Sequence, residues 1–139
     1  MTMFIDTNVL LDELMERHPY FKPARAIFAA CEKGGADGCI SALSIPNIMY
    51  ILRRDITRDR IQYIVEMLSG VFRVVGLTET DIKRAAKLGL NDFEDALQYC
   101  TAARAKCDCI VTRNAKDFPT DGIDILSPAA ALERFQLIG

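Results

Sequence analysis

Six side chains that end in a carboxylate or an amide fall where predicted strands end or predicted helices begin. They are Asp6, Asp92, Glu94, Asp95, Asn114 and Asp117. Carboxylates that share one cleft repel one another, so they require either raised pKa values or a cation between them. Mg²⁺ and Mn²⁺ prefer oxygen ligands, and the chain has only one histidine to serve a softer metal. The pattern therefore predicts a divalent-metal site built from oxygen donors.

Asp6 stands at the junction between a short buried strand and a helix. The apolar run Met3–Ile5 precedes it, and Val9, Leu10 and Leu14 follow at helical intervals. Ligands bind outside the carboxyl ends of parallel strands, which favours a site at this position. An acid before a helix also caps the free amides of the first turn. Taken alone, Asp6 is equally consistent with a helix cap and with a site.

The acids Asp92, Glu94 and Asp95 lie at the start of a predicted helix, and their presence there has two interpretations. Asp92 and Asp95 are three residues apart, so they share one face of that helix, whereas we expect Glu94 to point elsewhere, towards solvent. In the simpler reading, Asp92 caps the helix, and Glu94 and Asp95 interact favourably with its dipole. That reading explains Asp92 well, but it explains Asp95 poorly if Asp95 is buried.

Strand and helix patterns alternate along the chain. Short apolar runs predict strands over 3–5, 38–41, 72–75, 109–112 and 123–126. Helical spacing predicts helices after Asp6, over 24–33, 45–54, 59–68, 78–87 and 92–106, and from Ser127-Pro128 onward. We expect Ser44 to cap the helix over 45–54, and Gly70 to end the helix over 59–68.

This alternation predicts an α/β fold with a parallel sheet of four to five strands, right-handed crossovers and helices on both faces. We expect one domain over residues 1–139, a length that can bury a core without disulfides or structural metal. The carboxyl ends of parallel strands meet at one edge of the sheet. Asp6, the segment 41–47 and the segment 112–117 should therefore lie together.

Composition excludes several classes of protein. No apolar run approaches the roughly 18 residues of a membrane span, and the N-terminus lacks a basic region before an apolar segment, so we expect a cytosolic protein. The five cysteines form no CxxC pair, which argues against a zinc site or a disulfide framework. The net charge of −2 gives no overall attraction to nucleic acid, so such binding must be local. The densest basic stretch, 53–60, is also typical of a solvated helix face.

Three segments carry a family resemblance. They are 4–10 (FIDTNVL), 92–98 (DFEDALQ) and 110–118 (IVTRNAKDF). In order and spacing they resemble the signature segments of the PIN domain, as found in VapC-like ribonuclease toxins. The resemblance covers essentially the whole chain. It implies a three-layer α/β/α sandwich, an acidic cleft that binds Mg²⁺ or Mn²⁺, hydrolysis of RNA phosphodiester bonds, a cognate antitoxin and a homodimer.

The resemblance also implies roles for individual residues. Asp6 matches the first acid of the family, and Asp95 matches the acid before the alanine of the later helix. Asn114 stands where many members have aspartate, and Asp117 is the nearby carboxylate that serves instead. The chain departs from the pattern at Asn47, where the toxin group commonly has glutamate. Asparagine offers a carbonyl oxygen to a cation but no charge.

On this basis Asp6 and Asp95 hold the ion, and Asp117, Asn114 and Asn47 complete its coordination. We expect Thr7, Asn8 and Thr112 to fix carboxylate rotamers, with Asp92 in support, and Arg113, Arg53 and Arg54 to contact the RNA backbone. Two functions stay open: a metal-dependent ribonuclease toxin, or a PIN-like RNA- or protein-binding module whose catalysis is weakened by Asn47. Metal binding discriminates between them.

Overall fold

A computed structural model describes residues 1–136, which form a parallel sheet with helices on both faces. The strands are β1 (Thr2–Ile5), β2 (Asp37–Ser41), β3 (Arg73–Val75), β4 (Cys109–Val111) and β5 (Asp124–Leu126). The helices are α1 (Thr7–Leu14), α2 (Phe21–Glu32), α3 (Ser44–Leu52), α4 (Arg58–Val71), α5 (Glu79–Leu88), α6 (Phe93–Arg104) and α7 (Pro128–Arg134). A short 3₁₀ turn, Ala115–Asp117, follows β4.

The strand order is β3-β2-β1-β4-β5, and every neighbouring pair is parallel. The chain moves outward from β1 to β3 and then returns to the other side of β1, so the strand order reverses beside the central strand. Phe4 of β1 is in register with Cys39 of β2 and Ile110 of β4. This register confirms the predicted parallel sheet and places the residues after β1, β2 and β4 at one edge, where ligands bind in such sheets.

The two faces of β1 build two different parts of the core. Met3 and Ile5 pack into a cluster with buried residues of α1, α2, α3, α4 and α7. Phe4 points to the opposite face, because side chains alternate along a strand, and packs with Ala102 of α6. Ala85 of α5 packs against α6 on that same side. The three-layer α/β/α arrangement is therefore confirmed.

Several helix boundaries differ from the sequence prediction. Ser44 does not cap α3 but is its first residue, and its hydroxyl contacts Thr7 instead. Gly70 does not end α4, which continues to Val71, because the packing of the buried Leu68 and Phe72 outweighs the weak helix propensity of glycine. Helix α2 begins at Phe21, since a proline fits in a first helical turn.

Helix α5 has a capping motif at each end. Thr78 and Asp81 form a capping box, and Gly89 ends the helix with a left-handed φ of 69°. Among residues 1–136, no helix is both long and apolar enough to cross a membrane.

Candidate acidic active site

Asp6 occupies the end of β1 and the cap of α1 at once. Its backbone amide donates to the Val111 carbonyl at 3.0 Å, and its own carbonyl accepts from the amide of Val9 at 3.0 Å. Its side chain is 5% exposed, and Oδ1 accepts a 2.8 Å bond from the Thr7 amide. Asp6 therefore does cap α1, as the simpler reading required, but further contacts add to the cap.

Four donors surround the two oxygens of the Asp6 carboxylate. Besides the Thr7 amide, Oδ1 faces Gln98 Nε2 at 3.2 Å, while Oδ2 accepts from Thr112 Oγ1 at 2.8 Å and from Asn8 Nδ2 at 3.4 Å. The two shortest contacts, at 2.8 Å from the Thr7 amide and from Thr112 Oγ1, fix the orientation of this carboxylate, and the contacts from Gln98 and Asn8 are longer. The donors come from α1, α6 and the end of β4, which makes the orientation of Asp6 a property of the assembled fold.

Gln98 is a functional-site residue that the sequence reasoning missed. Its Nε2 also faces Thr7 Oγ1 at 3.2 Å and Ser44 Oγ at 3.4 Å, and those two hydroxyls lie 2.7 Å apart. The amide nitrogen must face Asp6, because the amide oxygen would be repelled by a carboxylate. Gln98 lies three residues after Asp95 and therefore on the same helix face, a spacing that could have identified it.

The other end of the Gln98 amide has no partner. Gln98 Oε1 is buried, and it accepts no hydrogen bond from the part of the chain that the structure describes. Buried carbonyl oxygens in native proteins almost always have a donor, a water molecule or an ion beside them. This oxygen belongs to the same amide that contacts Asp6, so a buried acceptor beside that carboxylate lacks a donor within the described chain.

Helix α6 brings a second set of acids to the cleft. Asp92 caps the helix, since its Oδ1 accepts from the amides of Glu94 at 2.8 Å and Asp95 at 3.3 Å. Asp95 is half-buried, and burial raises its pKa to about 7, with further contributions from the negative charges of Asp92, Asp6, Asp117 and Glu94. These carboxylates are therefore near enough to repel Asp95.

Glu94 is exposed, as the sequence predicts, and its side chain also contacts α3. Its Oε1 accepts a 3.0 Å hydrogen bond from Asn47 Nδ2 on α3, although the residue as a whole stays exposed. Burial raises the pKa of Glu94, the Asn47 bond opposes that rise, and the charges of Asp6 and Asp92 add to it. The long side chain of Glu94 thus bends towards α3 and the other acids.

The segment after β4 divides between two pockets. Asp117, at the end of the 3₁₀ turn, lines an open pocket of about 320 Å³ together with Asp92 and Asp95. Asn114 lines a different pocket of about 360 Å³, beside Tyr20 and Arg113. The structure therefore brings Asp117, rather than Asn114, next to Asp95. The backbone amide of Asn114 donates to Thr112 Oγ1 at 3.1 Å, which connects this loop to the Asp6 network.

The acidic side chains that the structure describes in the cleft do not form a preformed metal-coordination site. Within residues 1–136, no three His, Cys, Asp or Glu side chains form a group arranged to hold a metal ion. Mg²⁺ commonly binds through only one or two carboxylates, with waters and substrate phosphates in the remaining positions. The donors here are carboxylate and amide oxygens, and they include the unpaired Gln98 Oε1. This donor set fits a hard divalent cation that keeps part of its hydration.

Arg113, a predicted RNA contact, is engaged inside the protein. Its Nε and NH2 lie 2.5 Å and 3.1 Å from the two oxygens of Asp12, and its guanidinium lies 3.9 Å from the centre of the Tyr20 ring. Arg17 Nε is 2.9 Å from Asp12 without the alignment of a hydrogen bond, so that contact is an ion pair. Asp12 is completely buried and was not predicted, although it shares a helix face with Asn8.

Arg53 and Arg54 lie at the end of α3 and are accessible. The Arg53 guanidinium lies 3.9 Å from the centre of the Tyr50 ring and donates to the Tyr50 carbonyl at 2.7 Å. Tyr50 is itself 65% exposed. Of the three predicted RNA contacts, Arg53 and Arg54 are therefore the two on an open surface.

This fold, with acids gathered where the strand order reverses, is that of a PIN domain. A family model described as PIN domain matches residues 2–116, so the chain belongs to the PIN domain family. Among curated protein sequences, none matches this chain significantly.

Solved structures share the fold at low sequence identity. A toxin–antitoxin complex from Klebsiella pneumoniae aligns with a TM-score of 0.69 and 22% identity, over 91% of this chain and 97% of that chain. DNA-bound VapBC from Salmonella typhimurium aligns with a TM-score of 0.68 and 17% identity, over 92% and 98%. A sarcin-ricin-loop-cleaving VapC toxin from Mycobacterium tuberculosis aligns with a TM-score of 0.62 and 17% identity, over 86% and 91%.

Proposed function

We propose that this protein is a Mg²⁺- or Mn²⁺-dependent endoribonuclease and the toxin of a type II toxin–antitoxin pair. The observation that carries the proposal is Asp95, whose pKa is raised to about 7 by burial and by the charges of Asp92, Asp6, Asp117 and Glu94. Three carboxylates, Asp92, Asp95 and Asp117, line this open cleft beside the single cation of Lys116, and such an excess of negative charge is a place for a cation. A bound cation in turn attracts a phosphate.

Asp6, Asp95 and Asp117 would hold the ion, with Asn114 on the adjoining loop. When bound there, a divalent cation lowers the pKa of water and neutralises charge on phosphate oxygens. The protein supplies orientation: Thr112 and Gln98 hold Asp6 in one rotamer, and the cap that Asp92 makes fixes the start of α6 beneath Asp95. Such supporting contacts determine how well a site of this kind works.

An exposed basic and aromatic surface supports RNA as the substrate. Arg53 and Arg54 offer positive charge, and Tyr50 offers an aromatic face on which a base can stack. With a net charge of −2, the chain has to attract RNA through such a local surface.

An antitoxin partner is supported by two structural neighbours, the toxin–antitoxin complex from Klebsiella pneumoniae and DNA-bound VapBC from Salmonella typhimurium. Exposed Ile51, Ile61 and Tyr63 on α3 and α4 offer apolar area to a partner. The product of an adjacent reading frame should co-purify with this chain and inhibit its RNA cleavage. Sedimentation of the purified chain tests the homodimer.

The decisive experiment measures RNA cleavage by the purified protein with Mg²⁺, with Mn²⁺ and with EDTA. We expect cleavage with either metal and none with EDTA, and we expect Asp6→Asn and Asp95→Asn to abolish it. Glu79→Gln is the matched control, because Glu79 is exposed and pairs only with Lys83 on α5. If the unmutated protein neither binds Mn²⁺ nor cleaves RNA, the proposal is wrong, and the binding-module alternative gains support.

A further inference from the structure

Of the residues that the structure describes, Lys116 is the only basic one that lines the acidic pocket. It shares this pocket of about 320 Å³ with Asp92, Asp95 and Asp117. Within residues 1–136, no carboxylate lies within ion-pair distance of the Lys116 amine. The ammonium group therefore lies beside three acids without being paired to any of them, and it is available to a ligand.

The turn that carries Lys116 is held at both ends. Lys116 is the middle residue of the 3₁₀ turn Ala115–Asp117. Before the turn, the Asn114 amide donates to Thr112 Oγ1 at 3.1 Å, and after it Phe118 is buried in the core beneath α6. The side chain of Lys116 itself is exposed. A long, mobile side chain thus extends from a fixed point of the backbone at the rim of the cleft.

Lys116 also lines a second, neighbouring pocket of about 440 Å³. The lining of this second pocket includes the apolar side chains of Pro119, Ile123 and Leu126. A polymer that lies in the acidic pocket and continues into the neighbouring one has to pass Lys116. RNA carries a phosphate at every nucleotide, so a cation at this boundary can contact a phosphate while the apolar side chains beyond it contact a base.

The chemistry of a lysine suits a phosphate and not a metal ion. An ammonium group donates hydrogen bonds and has no acceptor, so it takes no position in the coordination of a cation. The three carboxylates of the pocket repel the phosphate of an approaching RNA strand, and more negative charge develops on the phosphate oxygens when water attacks. A positive charge placed beside the carboxylates reduces the first effect and stabilises the second.

We propose that Lys116 is a catalytic residue that contacts the phosphate at which RNA is cleaved and stabilises the negative charge that develops there. The proposal rests on the proposed ribonuclease function of this cleft. The simpler alternative is that Lys116 only relieves repulsion among the carboxylates. Both roles predict that removal of the lysine charge tightens metal binding, but only a phosphate contact predicts that cleavage then becomes slower.

The test combines two measurements: Mn²⁺ affinity by calorimetry on metal-free protein without RNA, and single-turnover RNA cleavage at saturating Mn²⁺. We expect Lys116→Met to bind Mn²⁺ about threefold more tightly, because it loses a neighbouring positive charge. We expect the same variant to cleave RNA more slowly, on the order of a hundredfold. Opposite changes in the two quantities are not produced by misfolding, and circular dichroism checks the fold of each variant.

Two further variants serve as controls. Lys116→Arg keeps the charge, so both quantities should stay close to those of the unmutated protein. Lys33→Met removes the same charge from an exposed position before β2 and should change neither quantity.

Three outcomes would count against the proposal in different ways. If Lys116→Met cleaves RNA as fast as Lys33→Met does, Lys116 does not contact the reacting phosphate and the proposal is wrong, whatever happens to Mn²⁺ affinity. If Lys116→Arg is as slow as Lys116→Met, the charge of the side chain is not the cause, and the proposal is again wrong. If the unmutated protein neither binds Mn²⁺ nor cleaves RNA, the proposed function of the cleft itself fails.

Discussion

Gln98 Nε2 lies 3.2 Å from Asp6 Oδ1, although 92 residues separate the two in sequence. The same amide contacts the hydroxyls of Thr7 and Ser44, so one side chain connects α1, α3 and α6 beneath the Asp6 carboxylate. Asp6 can keep its orientation only while α6 is correctly placed. The contact makes Gln98 a direct way to disturb the cleft without removing an acid.

Gln98→Ala should therefore lower both stability and activity. Truncation leaves a cavity and removes the two N–H donors that Asp6 and the Thr7 and Ser44 hydroxyls share, so we expect a loss of about 2–3 kcal/mol in the free energy of unfolding. Cleavage should fall on the order of tenfold, as for other residues that orient ligating carboxylates. Urea unfolding and RNA cleavage rates measure the two effects. Gln62→Ala, at an exposed position on α4, is the control, and unchanged cleavage by the Gln98 variant would contradict the positioning role.

Asp95→Asn should stabilise the metal-free protein above neutral pH. The pKa of Asp95 is raised by folding to about 7, so its ionised form opposes folding. That cost begins as the pH rises above the unfolded pKa of about 4 and is complete above the folded value. In EDTA, the melting temperature of the variant should exceed that of the unmutated protein by several degrees at pH 8 and match it at pH 4. An equal difference at both pH values would show that charge repulsion is not the cause.

The sequence was sufficient for the parallel sheet and for placing Asp6 where β1 ends and α1 begins. The apolar runs at Met3–Ile5 and Cys109–Val111 identify strands because these residues are buried on both faces of the sheet. The spacing from Asp95 places Gln98 on the same face of α6, but its contact with Asp6 depends on how α6 lies over the end of β1. The exposure of Glu94 followed from helical spacing, but its hydrogen bond with Asn47 did not, because that spacing gives the direction of a Cβ and not the partner of a long side chain. Ser44 does not cap α3, because its hydroxyl forms a hydrogen bond with the Thr7 hydroxyl of α1.

Arg104→Met should destabilise the protein at pH 7 and much less at pH 3. Arg104 Nε donates to both oxygens of Asp81, at 3.0 Å and 3.1 Å, and NH2 contacts the Gly76 carbonyl. Burial raises the pKa of Asp81, but hydrogen bonds from Arg104 and Thr78 outweigh it, so the pKa lies below its usual value. The stabilisation is present above the unfolded pKa and is lost as the pH falls through the folded one.

We expect a cost of about 3 kcal/mol at pH 7, because the variant leaves a buried carboxylate without its cation. Urea unfolding at pH 7 and pH 3 provides the comparison. Arg84→Met, at an exposed position on the same helix as Asp81, is the control. A cost for Arg104→Met that does not change with pH would mean that its packing, rather than its charge, is what matters.

Arg53 and Arg54 should differ from Arg113 in their effect on RNA binding. Removing the two exposed arginines together should weaken binding of single-stranded RNA. The slope of the logarithm of the binding constant against the logarithm of salt concentration should become shallower by about 2. Arg113→Ala should instead cost about 3 kcal/mol in stability, because it leaves the buried Asp12 with fewer charge partners, while RNA affinity of the folded protein is retained. Fluorescence anisotropy in EDTA separates binding from cleavage.

Lys33→Ala is the control for these arginines, since Lys33 is exposed and precedes β2, far along that strand from the carboxyl edge. If the exposed arginines prove neutral and Arg113→Ala alone reduces RNA affinity, the substrate lies over the Tyr20 side of the cleft instead.

The parallel pairing of β1 with β4 has a consequence for protein synthesis. During synthesis, β1 and Asp6 are made well before Thr112, which directly follows β4. The Thr112 hydroxyl donates a hydrogen bond to the Asp6 carboxylate. A nascent chain therefore carries its first acid long before the strand that completes the cleft. The cleft around Asp6 is therefore complete only after β4 has been synthesised and has paired with β1.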